Sequence, residues 1–146
     1  MPDVVVELSA FERGHLRELV AQFAGLVAGR GDDPALERLT PSAYRDDAGA
    51  AAEFRGLTRD DLLSRRADDA AVVLAGIDRG TQLELDAEET SAWLRTLAAV
   101  RLVLATRLGI DRTDDLVDRD EPRFALYDWL GYRLELLVRA ADGRDR

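Results

Sequence analysis

Apolar side chains recur at helical spacing through most of this chain, and two short segments follow a different pattern. Val4–Leu8 is a short run rich in β-branched residues, which predicts a strand. Thr81–Leu85 alternates polar and apolar side chains and predicts a second short strand. Because strands this short are not stable alone, we expect the two to pair as a ribbon packed on helices.

Capping signals and glycines divide the rest of the chain into helices. Ser9 with Glu12, and Asp86 with Glu89, fit the capping box, in which each side chain bonds the other residue's backbone N–H. Gly56 is predicted to separate a short alanine-rich helix from the next one. The helix after Asp86 is expected to be the longest. The predicted helices begin near Ser9, Asp33, Asp46 or Asp47, Thr58, Asp86 and Pro122.

These elements predict a mostly α fold, a single-domain helical bundle of about five to six helices with a small two-stranded β-ribbon. The acidic, aperiodic segment 110–121 is predicted to be a loop, and the polar tail 142–146 is expected to fray. Neither an internal repeat nor a low-complexity linker interrupts the sequence. We therefore predict one domain covering residues 1–146.

Composition narrows the compartment and the partners. The chain has no cysteine, which excludes disulfides and thiolate metal sites. No apolar run approaches the roughly 20 residues that span a bilayer, and the acidic start does not resemble a signal peptide. We expect a cytoplasmic protein. The net charge of −9 disfavours nucleic-acid backbones and anionic membranes as partners.

Candidate chemistry is scarce. All 20 basic residues are arginines, which excludes a Schiff-base lysine and a P-loop lysine. His15 is the single histidine, at the margin of an apolar stripe; we expect a structural or surface role, with pH sensing or catalysis as the alternative. The acids of segment 110–121 lack the spacing and the glycine of an EF-hand. We predict no catalytic residue, no metal site and no cofactor.

Two pairs of an aromatic residue and an arginine are candidate interface residues. Tyr44 and Arg45 precede a predicted helix, where they either anchor a partner or fix the turn. Trp129 and Arg133 lie one turn apart on the last helix and can stack on its surface. A partly exposed tryptophan suits an interface, including one between two copies of the chain. Packing of the indole beneath the acidic segment is the alternative.

Asp128 is a candidate for a structural ion pair. If the last two helices pack antiparallel, its carboxylate can reach Arg101 or Arg107 of the preceding helix. A buried or half-buried pair of this kind fixes the register of two helices.

Five segments stand out by their order and spacing: Arg38–Asp47, Ala52–Thr58, Trp93–Arg95, Arg101–Gly109 and Leu126–Gly131. Together they resemble the actinobacterial domain-of-unknown-function family twenty-seventeen, and the resemblance covers nearly the whole chain. The composition, rich in alanine, arginine and aspartate and free of lysine, is in keeping with a GC-rich actinobacterial genome.

The resemblance implies a small cytoplasmic protein without an established enzymatic activity. It also implies genes that often neighbour the adaptor delivering N-degron substrates to the Clp protease, and regulatory roles that include oxidative-stress responses. If relatives sense redox state through cysteine pairs, this chain departs from them, since it cannot form a disulfide switch.

Three functions remain open. The first is a non-enzymatic interaction or regulatory module that binds another protein or itself, with a homodimer as the expected assembly. The second is a DNA-binding transcriptional regulator, for which the last helix offers Arg123, Arg133 and Arg139, diluted by acidic residues. The third is an enzyme or small-ligand protein that uses carboxylates, arginines and His15. The scarcity of catalytic chemistry favours the first.

Overall fold

Four helices and one two-stranded antiparallel sheet form the part of the chain that the computed structural model describes. That part comprises residues 4–29, 35, 39, 48–109 and 125–144, with the backbone alone described at 48–59, 143 and 144. The mostly α class predicted from the sequence is confirmed. In chain order the elements are β1 (Val4–Glu7), α1 (Ala10–Gly29), α2 (Ala48–Asp78), β2 (Gln82–Leu85), α3 (Ala87–Leu108) and α4 (Ala125–Arg144).

The predicted ribbon is also confirmed. β1 and β2 pair antiparallel, with Val4 opposite Leu85 and Val6 opposite Leu83. Val4, Leu83 and Leu85 are buried, whereas Val5, which points to the other face of β1, is 49% exposed. Because successive side chains of a strand point to opposite faces, this pattern places one apolar face of the ribbon against the helices.

Both predicted capping boxes are present. The Ser9 N–H donates to Glu12 Oε1 (3.1 Å) and the Glu12 N–H donates to Ser9 Oγ (3.0 Å), which starts α1. Asp86 and Glu89 make the same exchange at the start of α3. α3 ends at Gly109, whose φ of 77° lies in the left-handed region that glycine adopts without strain. Local sequence therefore sets where these two helices begin.

α2 corrects the predicted helix count. The sequence predicts a break at Gly56, but α2 is one helix of 31 residues and is longer than α3, which has 22. A glycine inside a helix costs only about 1 kcal/mol relative to alanine, and later turns of α2 bury Leu63, Val73 and Ile77. The described residues thus form four helices rather than about five to six. Of the short helix predicted after Asp33, Ala35 and Leu39 are among the described residues, and both are buried.

The core lies where the four helices meet beneath the ribbon. Trp93 of α3 is 1% exposed. Its ring lies against Gly76 of α2, where a Cβ would sit 3.3 Å from the indole. Gly76 therefore lets α2 approach the indole closely. Trp93 belongs to one core cluster with buried apolar residues from all four helices: Leu16, Val20, Phe23, Val27, Leu63, Val73, Ile77, Leu97, Val100, Leu130 and Leu137.

α1 packs on α2, α2 on α3, and α3 on α4, while β1 also lies against α4. This arrangement brings the first turn of α1 next to the middle of α4. Within the described residues, no helix combines the length and apolarity required to cross a membrane.

Candidate functional site

Glu12 joins the start of α1 to α4. Its Oε1 closes the capping box with Ser9. Its Oε2 accepts hydrogen bonds from Trp129 Nε1 (2.9 Å) and from Arg133 Nε (3.1 Å) and Nη2 (2.5 Å). One carboxylate therefore caps its own helix and holds two side chains that lie 117 and 121 residues further along the chain.

The ion pair at Glu12 is partly shielded from water, since the side chains of Glu12 and Arg133 are only 23% and 21% exposed. The hydrogen bonds from Arg133, followed by the backbone N–H of Ser9, lower the pKa of Glu12 from 4.5 to about 2. Burial opposes this shift, and the Trp129 hydrogen bond adds to it. Glu12 is consequently ionised at any pH near neutrality, and Arg133 balances its charge.

Trp129 and Arg133 lie one turn apart on α4, with the guanidinium carbon 5.9 Å from the centre of the indole. This distance is at the outer limit of a cation–π contact. Trp129 is half-buried and packs against the core, so one part of its ring is internal and another reaches the surface.

An open apolar groove of about 420 Å³ lies beside Trp129, between α1 and the start of α4. Phe11 is 76% exposed and stands at its edge. The rings of Phe11 and His15 contact each other edge-on, with centroids 4.3 Å apart. We call this surface the aromatic groove; its lining residues are Phe11, Glu12, His15, Ala125, Leu126 and Trp129.

Glu12 is the one carboxylate among the described residues that line the aromatic groove. That carboxylate is already bonded to Ser9, Trp129 and Arg133. His15 is exposed. Among the described residues, no group of three or more histidine, aspartate or glutamate side chains is arranged to hold a metal ion. The groove offers mainly apolar surface for contact.

Arg101 of α3 contacts the first turns of α4. Its Nε donates to the backbone carbonyl of Tyr127 (3.3 Å), and its guanidinium carbon lies 3.9 Å from the centre of the Tyr127 ring. A Cβ at Gly131 would lie 2.9 Å from Arg101 Nε, so glycine at this position makes room for the guanidinium. Arg101 therefore joins α3 to α4 next to Asp128. The pairing of Asp128 with Arg101 or Arg107 stays a prediction.

Tyr44 and Arg45, the other predicted interface pair, lie outside the described residues. The arginines considered for DNA recognition are held by carboxylates where they are described. Arg133 bonds Glu12, and Arg139 Nη2 lies 2.6 Å from Glu135 Oε1. These pairs reduce the positive charge that α4 presents to a phosphate backbone.

Glu12 and Phe11 are the residues of this site that sequence reasoning does not find. The capping box does identify Glu12, but only as a local feature of α1. The contact with α4 depends on how two distant helices pack, and the sequence contains no local signal for it.

Comparison with known proteins identifies the family. Residues 2–141 match the family described as a domain of unknown function, DUF2017. The chain belongs to this family. The match covers nearly the whole sequence, which confirms the resemblance found in its five segments.

Curated relatives include a regulator. The oxidative stress regulator AosR of Mycobacterium tuberculosis, matched equally by the protein of the same name in Mycobacterium bovis, is 28% identical over 154 aligned positions. The alignment covers 93% of this chain and 65% of the regulator, so the chain spans less than two thirds of that relative. The regulatory role in this relative's name belongs to that protein.

A second relative is an enzyme. Valine–tRNA ligase of Treponema pallidum is 35% identical over 104 positions, which cover 68% of this chain but only 11% of the ligase. So small a part of that enzyme does not indicate its activity here. No solved structure shows significant similarity to the chain.

Proposed function

We propose that this chain is a non-enzymatic, cytoplasmic regulatory module that binds a partner protein through the aromatic groove. The observation that carries the proposal is the placement of Phe11, 76% exposed, beside the half-buried Trp129 in a groove with apolar walls. Adjacent exposed apolar residues mark interaction surfaces more reliably than single ones do. Tryptophan is also enriched among the residues that dominate binding energy.

The Trp129 side of the groove is held in place by hydrogen bonds. Glu12 fixes the indole of Trp129 by a hydrogen bond, and Arg133 neutralises Glu12. A partner therefore meets an ordered aromatic surface and does not leave an unpaired carboxylate buried. Preorganisation of this kind lowers the entropy lost on binding.

The proposed occupant is an apolar side chain carried on a basic segment of another protein. The chain has a net charge of −9, which attracts basic partners and repels a second copy of itself. The family resemblance implies a setting in stress response and Clp proteolysis. Proteins of these two systems are therefore the first partners to test. The homodimer predicted from the sequence is the competing occupant.

Phe11→Ala tests the proposal. Because Phe11 is exposed, its removal should change the free energy of unfolding by no more than about 0.5 kcal/mol. Loss of an aromatic anchor should weaken partner binding at least about tenfold. Partners captured from a lysate of the host should be identified by mass spectrometry. Each should then be titrated as a purified protein against wild type and variant.

Val72→Ala is the matched control, because Val72 is also exposed, at 37%, but lies on α2 outside the groove. It should leave the affinity for the partner unchanged. Equal affinity for wild type, Phe11→Ala and Val72→Ala would exclude the groove. Analytical sedimentation of the three proteins tests the homodimer as the competing occupant. If the wild type and Val72→Ala are dimers and Phe11→Ala is a monomer, the groove binds a second copy of the chain.

A further inference from the structure

A separate cavity of about 100 Å³ lies between β1 and α4. β1 and the following Leu8 form one wall, α4 forms another, and Trp93 and Leu97 of α3 contribute a third. Protein interiors are close-packed and hold few voids larger than one water molecule. A water molecule occupies about 30 Å³ of liquid, so this cavity has room for several water molecules or for one small ligand.

The walls of the cavity are held in place by contacts that do not depend on a ligand. Trp93 and Leu130 are core residues with 1% and 0% exposure. Trp129 and Arg133, which also line the cavity, are fixed by their bonds to Glu12. The site is therefore preformed, which is typical of small-molecule sites.

The chemistry of the walls selects the ligand. Apart from Glu7 and Arg133, the described residues that line the cavity are apolar. Glu12 balances the charge of Arg133, and Glu7 disfavours an anion. A cation would lose its hydration among apolar side chains. These walls favour an uncharged ligand.

We propose that this cavity binds a small, uncharged and mainly apolar molecule of about six non-hydrogen atoms or fewer. Apolar cavities of about 150 Å³ in other proteins stay dry and bind benzene or xenon. At about 100 Å³ this cavity takes a ligand of that size when part of it extends towards the mouth. Val5 and Leu136, both lining residues, are 49% and 37% exposed there.

Tryptophan fluorescence provides a direct test. The chain has two tryptophans; Trp129 lines both the cavity and the aromatic groove, whereas Trp93 lines the cavity and not the groove. Xenon, a heavy-atom quencher, should therefore saturably quench Trp93 emission, measured in Trp129→Phe, where Trp93 is the single tryptophan. Benzene at about ten times its dissociation constant should raise the melting temperature by about 3–5 °C. Quenching that rises linearly with xenon, together with an unchanged melting temperature in benzene, would overturn the proposal.

Ala140→Leu localises the binding. Ala140 lines the cavity from an exposed position on α4, so a larger side chain fills space without breaking the core. It should weaken benzene binding about tenfold. Ala71→Leu makes the same change at an exposed position of α2 outside the cavity and should leave binding unchanged. Equal affinities in the two variants would show that benzene binds elsewhere.

Val5→Phe offers a second obstruction if Ala140→Leu does not fold, because it narrows the mouth from an exposed position of β1. It too should weaken benzene binding, and wild-type affinity in this variant would contradict the proposal. Phe11→Ala, which alters the aromatic groove but no residue of the cavity, should bind benzene normally. The proposed ligand site in the cavity and the proposed partner site in the groove can therefore be tested independently.

Discussion

The two tryptophans show how differently one side chain is used in this fold. Trp93 is 1% exposed, and its Nε1 has no hydrogen-bond partner in the part of the chain that the structure describes. Trp129 is half-buried, and its Nε1 donates to Glu12. The first contributes apolar surface to the core. The second divides its ring between the core and the aromatic groove, so its position depends on one hydrogen bond as well as on packing.

Among these predictions, alanine substitution of the two tryptophans should give the largest difference in the free energy of unfolding. Trp93→Ala removes a fully buried indole and should lower the free energy of unfolding by about 3–5 kcal/mol. Trp129→Ala should cost less, because part of its ring is already in water. Urea denaturation of both variants measures the difference. Equal losses would show that Trp129 is as much a core residue as Trp93.

Acid should destabilise the Trp129 region through Glu12. The folded-state pKa of Glu12 is lowered to about 2 from 4.5, so its contribution is complete above pH 4.5 and is lost as pH falls towards 2. With allowance for solvent screening, we expect the wild type to lose about 1–2 kcal/mol more stability than Glu12→Gln across this interval. Parallel denaturation curves at pH 6, 4 and 2.5 test this. Identical pH dependence in both proteins would contradict it.

The hydrogen bond of Trp129 can be isolated by a double-mutant cycle. Trp129→Phe keeps an aromatic ring but removes the donor, and Glu12→Ala removes the acceptor. We expect a coupling energy of about 1 kcal/mol between the two substitutions. Trp93→Phe in place of Trp129→Phe is the control and should show no coupling with Glu12→Ala. Coupling of similar size at both tryptophans would mean that it does not arise from this bond.

An exposed ion pair should give the smallest effect. Arg65 Nη2 lies 3.0 Å from Asp61 Oδ2, one turn away on α2, and the two side chains are 73% and 63% exposed. Asp61→Asn should cost about 0.3–0.5 kcal/mol, and added salt should reduce that cost. Thermal unfolding at low and high salt measures both quantities. A loss as large as that of Glu12→Ala would show that partial burial is not what distinguishes the Glu12 pair.

Local patterns predict local features well in this chain. The capping residues Ser9 and Asp86 mark the starts of α1 and α3, and alternation marks β2. The predicted helix break at Gly56 is wrong, since α2 continues through this residue. Tertiary packing can offset the cost of one glycine in a helix, and nearby residues do not reveal that packing. The burial of Trp93 is expected as well, because Trp93, Leu97 and Val100 recur at helical spacing.

Only part of the candidate site can be predicted from the sequence, because the rest depends on tertiary packing. Trp129 and Arg133 are visible as a pair one turn apart on a single helix. The acceptor that orients them, Glu12, is contributed by the opposite end of the chain. The exposure of Phe11 also depends on where α4 lies relative to α1, since the sequence alone places this residue on an apolar stripe.

Glu12 bonds both Ser9 at the start of α1 and Trp129 of α4, so opening of one helix affects the other. If the first turn of α1 frays, the carboxylate leaves Trp129 and Arg133, and α4 loses its bonds to α1. If α4 detaches, the same carboxylate loses the charge that keeps it ionised in acid. Local opening at one helix thus removes from the other a contact that we expect to be worth about 1–2 kcal/mol. Amides around Arg133 should therefore exchange faster in Glu12→Ala than in the wild type, although 121 residues separate Glu12 from Arg133.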